Sequence, residues 1–297
     1  VDVMKKLLLI LICLFSIIAY GNAANYFYDT HQVRYELYQT NGRKNYNWLF
    51  LPGGPGLDSG YLRDLIDRLE LPGNVWLIDL PGNGGNLPDA FAENYDHWME
   101  FFPALFERFA NPILVGHSFG GMFPLLFPEL EKHLKGFVIL NSAPGLWMEE
   151  AVKYSKQFNL PDLSEGMAEF TSHPTQETFL AAVDACMPYY FPKETLEQGR
   201  KVFFQHVSRW QPAVWWQQKA VELNFSAKWI PQSVPTLILG AKYDCICPFS
   251  LFKKDKRFSR QNIRFAFIEN AGHVPWIENP AAVRKAFDAF CSRLNTH

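Results

Sequence analysis

Short apolar runs separated by turn-forming residues recur along the chain, and their spacing predicts its elements. His31 to Gln39 is rich in β-forming residues, and Asn41-Gly42 marks a hairpin turn into a second strand, Tyr46 to Leu51. Pro52-Gly53-Gly54-Pro55-Gly56 ends that strand sharply. Leu62, Leu65, Ile66 and Leu69 share one helical face between Tyr61 and Leu69. Asn74 to Leu80 is a continuous apolar run, as expected of a strand buried on both faces. A glycine-rich loop, Pro81-Gly82-Asn83-Gly84-Gly85, follows it. Tyr95 to Phe109 reads as a helix, Ile113 to Val115 as a strand, and Phe119 to about His133 as a helix that Pro124 and Pro128 distort. Phe137 to Leu140 is a further strand.

The alternation then stops. Residues from about 146 to 230 are helical in composition and strongly aromatic, from Trp147 through Tyr189, Tyr190 and Phe191 to Trp215 and Trp216. It resumes with strands Thr236 to Leu239 and Ile263 to Ile268 and an amphipathic helix from Pro280 to about Leu294. Strands alternating with helices predict an α/β fold with a doubly wound, mainly parallel sheet. The core is expected from 24–145 and 231–297. The insert, 146–230, is expected as a helical cap over the sheet's carboxyl edge, where ligand sites form in such folds.

The first residues carry a different pattern. Lys5-Lys6 precedes an apolar run from Leu7 to about Tyr20, and Gly21-Asn22-Ala23-Ala24 supplies small residues. This matches a secretory signal peptide over 1–23, cleaved near Ala23, with an uncleaved anchor as the alternative. The expectation is an exported protein, periplasmic or secreted, with no stable membrane span after cleavage. Four cysteines then remain, Cys186, Cys245, Cys247 and Cys291. They allow three pairings, and the sequence chooses neither among these nor between a disulfide and free thiols. A formal net charge of −2 over 297 residues gives no electrostatic reason to expect a nucleic acid or an anionic membrane as partner.

The chemistry gathers at strand ends. Gly116-His117-Ser118-Phe119-Gly120-Gly121 follows a short apolar strand and opens a helix, the strand–turn–helix context in which a G-x-S-x-G serine is a nucleophile. A serine hydroxyl needs a base beside it, and the base needs a third group to hold its tautomer. Asp244 follows the strand Thr236–Leu239, and His273 follows the strand Ile263–Ile268. Each has a plainer reading: Ser118 as a helix N-cap, His273 as a surface-loop histidine, and Asp79, at the end of the strand before Pro81, as a rival acid. His117 should point away from the serine into a structural role, and Glu278 should cap or anchor the last helix.

With Ser118, Asp244 and His273 in that order, the chain resembles the α/β-hydrolases with a helical cap. The resemblance rests on Gly-His-Ser-Phe-Gly-Gly, on Gly240 through Pro248 around Asp244, on Gly272-His273 with Glu278-Asn279-Pro280, and on the glycine loop at 52–56. It implies a Ser-His-Asp triad and an oxyanion hole made by the backbone N–H groups of Phe119 and Gly54. It implies no metal and no cofactor. The glycine loop is similar to that of proline iminopeptidases, but Pro52 stands where they carry a histidine, and Ser-Phe-Gly-Gly is the pattern of many esterases. The aromatic insert favours an apolar acyl or alcohol group, so the partner expected is a small molecule or short peptide with an apolar group, cleaved at a carboxylic ester or related acyl bond. An aminopeptidase is the alternative and would need a cap carboxylate for the free amine, from Glu149, Glu150, Glu165, Glu169 or Glu222. A non-catalytic ligand-binding homologue is a second alternative.

Overall fold

The computed structural model describes residues 25–42, 44–86 and 94–294. The expected signal segment, 1–23, lies outside them. Eight strands form one sheet: β1 (Tyr26–Tyr28), β2 (Arg34–Asn41), β3 (Asn47–Leu51), β4 (Gly73–Asp79), β5 (Pro112–His117), β6 (Gly136–Leu140), β7 (Thr236–Ala241) and β8 (Ile263–Ile268). Their spatial order is β1-β2-β4-β3-β5-β6-β7-β8. β1 and β2 run antiparallel to their neighbours, and every pairing from β4 to β8 is parallel.

One expectation fails at the start of the sheet. Asn41-Gly42 does not close a hairpin, because β2 pairs with β4, while β3 lies on β4's other side. The physical reason is burial. All five residues of β3 are buried, so β3 occupies the centre of the parallel sheet between β4 and β5. The hairpin partner of β2 is β1, and Gln32 N–H bonds to Asp29 C=O in the turn between them.

The prolines do what their chemistry requires. The run 119–133 breaks into an α-turn (Phe119–Met122), a 3₁₀ turn (Phe123–Leu126) that Pro124 opens, and a short helix (Leu130–His133) beyond Pro128. The run 95–109 divides likewise, into an α-helix (His97–Phe101) and a 3₁₀ turn (Phe102–Phe106) with Pro103 as its second residue.

Apolar side chains pack on both faces of the sheet. Trp48, Phe50, Val115, Val138 and Trp276 belong to one cluster, and Leu49, Leu114, Phe119, Phe123 and Ile139 to the other. Burying a side chain such as Phe119 contributes about 1.5–3 kcal/mol. Between β6 and β7 the chain forms the helical cap, with α-helices Met148–Ser155, Leu163–Ser172, Gln176–Tyr190, Leu196–Phe204 and Trp210–Glu222. A bridge between Gly145 and Ser226 joins its entry and exit segments. A second seam joins its residues 206–209 to the glycine loop. Leu57 bridges Ser208, Arg209 N–H donates to Gly56 C=O at 3.0 Å, and Asp58 Oδ1 lies 3.1 Å from His206 Nδ1. Among the described residues no helix is long and apolar enough to cross a membrane.

Candidate active site

Four strands deliver the predicted residues to one edge. β3 leads into the glycine loop, β5 to Ser118, β7 to Asp244 and β8 to His273. Ser118 has φ 53° and ψ −118°, a conformation rare outside glycine, and its N–H donates to Leu140 C=O at 2.9 Å. The turn is this tight because its neighbours have no side chains. A Cβ on Gly116 would collide with the backbone at Gly120, and one on Gly120 with the carbonyls of Leu51 and Pro52.

His273 Nδ1 lies 2.9 Å from Asp244 Oδ2, with both side chains buried. Asp244 is fully enclosed, yet its oxygens are well supplied with donors. Oδ2 also accepts from Asn141 Nδ2 at 2.9 Å, and Oδ1 accepts from the N–H groups of Ile246 and Cys247 at 3.1 and 2.8 Å. Every partner of these oxygens is a donor, so the carboxylate accepts from His273 as well, and the shared hydrogen sits on His273 Nδ1. In the neutral ring Nε2 is then the nitrogen without a hydrogen. It is buried and makes no hydrogen bond to the described residues.

Ser118, His273, Gly54 and Phe119 line one cavity of about 180 Å³ beneath the cap. Neither the Phe119 N–H, first in its helical turn, nor the Gly54 N–H bonds to another described backbone group. Two cap helices supply most of the facing wall. Leu163, Met167 and Phe170 from one, and Phe179, Val183 and Cys186 from the next, recur at the spacing of a single helical face. Among the described residues, no Asp, Glu, Lys or Arg lines the cavity. The five glutamates considered for an amine all lie elsewhere. Glu150 holds Lys254 at 2.6 Å, Glu222 holds Lys219 at 2.8 Å, and Glu149, Glu165 and Glu169 are exposed.

The rival acid has a structural position. Asp79 pairs with Arg34, accepts the Ser59 N–H at 2.6 Å and makes no bond to His273. Burial pushes its carboxyl up to about 6 against the pull of Arg34. Glu278 differs from its expected place: it bonds the Gly272 N–H and Thr195 Oγ1, anchoring the loop of His273 to the cap. Asn279 takes the capping role, its Oδ1 accepting from Ala282 N–H at 3.3 Å. The four cysteines are free thiols. Burial pushes Cys186, Cys245 and Cys291 up to about 12, so these thiols are poor nucleophiles at neutral pH.

Two contributions escaped the sequence reading. Asn141 sits at the end of β6 with φ 44° and spans from Asp244 to the Gly272 carbonyl. An asparagine just past an apolar strand, where left-handed geometry is tolerated, was the available signal. The second is the end of the cap helix Gln176–Tyr190. The Tyr190 carbonyl accepts the His273 N–H at 2.7 Å, and the Tyr189 carbonyl accepts the Cys245 N–H at 3.0 Å.

Comparison with known proteins follows the same lines. The model of an alpha/beta hydrolase family matches residues 48–286. The proline iminopeptidase of Saccharolobus solfataricus is 31% identical over 121 residues, 38% of this chain and 39% of that protein. The chain spans less than half the length of the curated relatives it matches. Among solved structures, a proline iminopeptidase-related protein of Thermus thermophilus superposes with a TM-score of 0.64 at 19% identity, covering 91% of this chain and 96% of that one. An esterase from Exiguobacterium antarcticum superposes with a TM-score of 0.62 at 16% identity, covering 92% and 99%. At these identities the likeness to the solved structures is one of fold.

Proposed function

The chain belongs to the alpha/beta hydrolase family, and from that premise we propose that it is a serine hydrolase cleaving carboxylic esters, or related small acyl compounds, with an uncharged apolar acyl group. The observation that carries this reading is the cavity wall: it holds Ser118 and His273 and, among the described residues, has no charged side chain. A free ammonium group bound there would lose its hydration without gaining a counter-charge, at a cost of several kcal/mol. An apolar acyl chain gains about 25 cal/mol per Å² of surface removed from water.

In the proposed reaction Ser118 Oγ attacks the acyl carbonyl carbon, and its proton passes to His273 Nε2. Asp244 stays ionised and holds the resulting imidazolium at Nδ1. The N–H groups of Phe119 and Gly54 take the developing oxyanion. Collapse of the tetrahedral species breaks the ester C–O bond, and the departing alkoxide takes the proton from Nε2. Water then attacks the acyl-enzyme, gives a proton to His273, and releases the carboxylic acid while Ser118 is reprotonated.

A panel of chromogenic acyl esters of increasing chain length, run beside prolyl and alanyl anilides, tests the assignment. Turnover of the esters that improves with chain length supports it. Preferential cleavage of the anilides overturns it in favour of the aminopeptidase that the match to a proline iminopeptidase raises. Absence of fluorophosphonate labelling at Ser118 overturns it in favour of a non-catalytic binding role. Export with cleavage near Ala23 belongs to the same proposal; a mature N-terminus near Ala24 in native protein supports it, and a retained 1–23 segment refutes it.

A further inference from the structure

His117 is the neighbour of Ser118 in sequence, and its imidazole is buried among Tyr61, His273 and Trp276. It belongs to a line of three contacts, two of them its own. Gly53 N–H donates to Tyr61 Oη at 2.8 Å, Tyr61 Oη lies 2.6 Å from His117 Nδ1, and His117 Nε2 lies 2.9 Å from the carbonyl oxygen of His273. The directions follow from donor chemistry. A carbonyl oxygen only accepts, so His117 Nε2 carries a hydrogen. Burial, reinforced by the neighbouring His273, holds the His117 pKa well below the ordinary imidazole value, so the ring is neutral and Nδ1 is bare. Tyr61 must then donate to Nδ1, which leaves its oxygen to accept from Gly53. Each polar group of this chain has one role, and no second arrangement satisfies all of them.

The line has consequential ends. Gly53 immediately precedes Gly54, His117 immediately precedes Ser118, and the far end is the backbone of His273. The loops after β3, β5 and β8 are thereby tied to one another through two side chains. The His273 backbone is fixed on both sides, its N–H by Tyr190 and its carbonyl by His117. Core filling alone does not account for the pair, since a phenylalanine and a leucine would occupy the space without burying polar groups that must be satisfied.

We infer that Tyr61 and His117 are positioning residues, which set the separation of Ser118, the Gly54 N–H and His273 Nε2. The inference rests on the serine-hydrolase reading above. Neither side chain acts on substrate through a proton of its own in this scheme; both act by holding three loops in register. A displacement of about 1 Å among reacting groups can cost about a hundredfold in rate.

The test compares wild type with Tyr61→Phe, His117→Gln and His117→Leu. It measures the fluorophosphonate labelling rate at Ser118, kcat and KM on the preferred ester, and the melting temperature. Tyr61→Phe keeps the ring and removes both hydrogen bonds. It should lower the labelling rate and kcat by about ten- to a hundredfold, with KM within about twofold and the protein still folded at the assay temperature. His117→Gln keeps an N–H that can reach the His273 carbonyl, and it should retain several times the kcat of His117→Leu. If His117→Leu does not fold, Tyr61→Phe decides alone. Wild-type labelling and kcat in Tyr61→Phe, a loss confined to KM, or a loss matching the unfolded fraction would each overturn the inference. Failure of wild-type protein to label at all would instead remove the serine-hydrolase reading on which it rests.

Discussion

The neutral, enclosed state of His117 should make it a sensor of acid in folding, and the size of the effect can be worked out. In the unfolded chain its imidazole titrates near the ordinary value of about 6.5. In the folded protein burial holds the pKa well below that value. Below pH 6.5 the unfolded state therefore binds a proton that the native state refuses, and stability falls as pH falls. At pH 5.5 about ten of every eleven unfolded chains carry that proton, which favours unfolding by RT ln 11, or about 1.4 kcal/mol. Asp79 opposes this trend. Its folded pKa is raised by burial to about 6 from 3.8, so in that window the native state binds the extra proton and acidification stabilises it. The wild-type curve alone mixes the two. His117→Gln removes one and leaves the other, so the comparison isolates His117. Urea unfolding followed by tryptophan fluorescence at pH 7.5 and 5.5 would give four free energies. Wild type should lose about 1.4 kcal/mol more than His117→Gln on moving to pH 5.5. Equal losses in the two proteins would refute a neutral, protected His117.

Three further outcomes follow from the site. Ser118→Ala should abolish ester turnover and leave the melting temperature within about 2 °C, since the hydroxyl contributes little packing; near wild-type turnover in a chromogenic assay would reject Ser118 as nucleophile. Asp244→Asn should lower kcat by about four orders of magnitude, because an amide cannot hold the His273 tautomer as the carboxylate does; a loss under about tenfold would point to another acid. Ala182→Phe adds a ring to a buried position in the cavity wall. Each methylene excluded from an apolar pocket is worth about 1–3 kcal/mol, so the preferred acyl chain should shorten, with discrimination against the longest ester of about tenfold or more. An unchanged chain-length profile would show that the acyl group does not occupy this wall.

Local chemistry made most of the sheet and the central motif legible in the sequence. β4 and the final helix Pro280–Leu294 fall where the apolar pattern puts them, and Pro124 and Pro128 divide the segment they were expected to distort. Strand neighbours were less readable. Asn41-Gly42 carries a strong turn signal, but pairing is decided by which strand the core can bury on both faces, and that claims β3 for the centre. The supports of the site were hidden for a related reason. Asn141 and Asp244 are 103 positions apart, and His117 and His273 are 156 apart. No periodicity connects residues at such distances; only the parallel order of β5, β6, β7 and β8 makes them neighbours. Ser118, Asp244 and His273 stood out because their chemistry is specific to motif and order, whereas a tyrosine in a short helix carries no such mark.

The seam between residues 206–209 and the glycine loop bears on how such a protein can diversify. The Gly56 carbonyl accepts N–H groups from both Arg209 and Gly84, Arg209 Nε returns to the Gly84 carbonyl at 2.7 Å, and Asp58 Oδ2 accepts the Val207 N–H at 3.1 Å. Two residues upstream of that carbonyl is Gly54. An exchange of the cap for one of different shape would strip these partners from the loop, leaving buried acceptors exposed to strain or to water. The cap is therefore not a separable module that can be traded for new specificity while the machinery below stays constant. Residues 206–209 and 54–60 share one set of hydrogen bonds, and a graft that respects the chemistry must carry both.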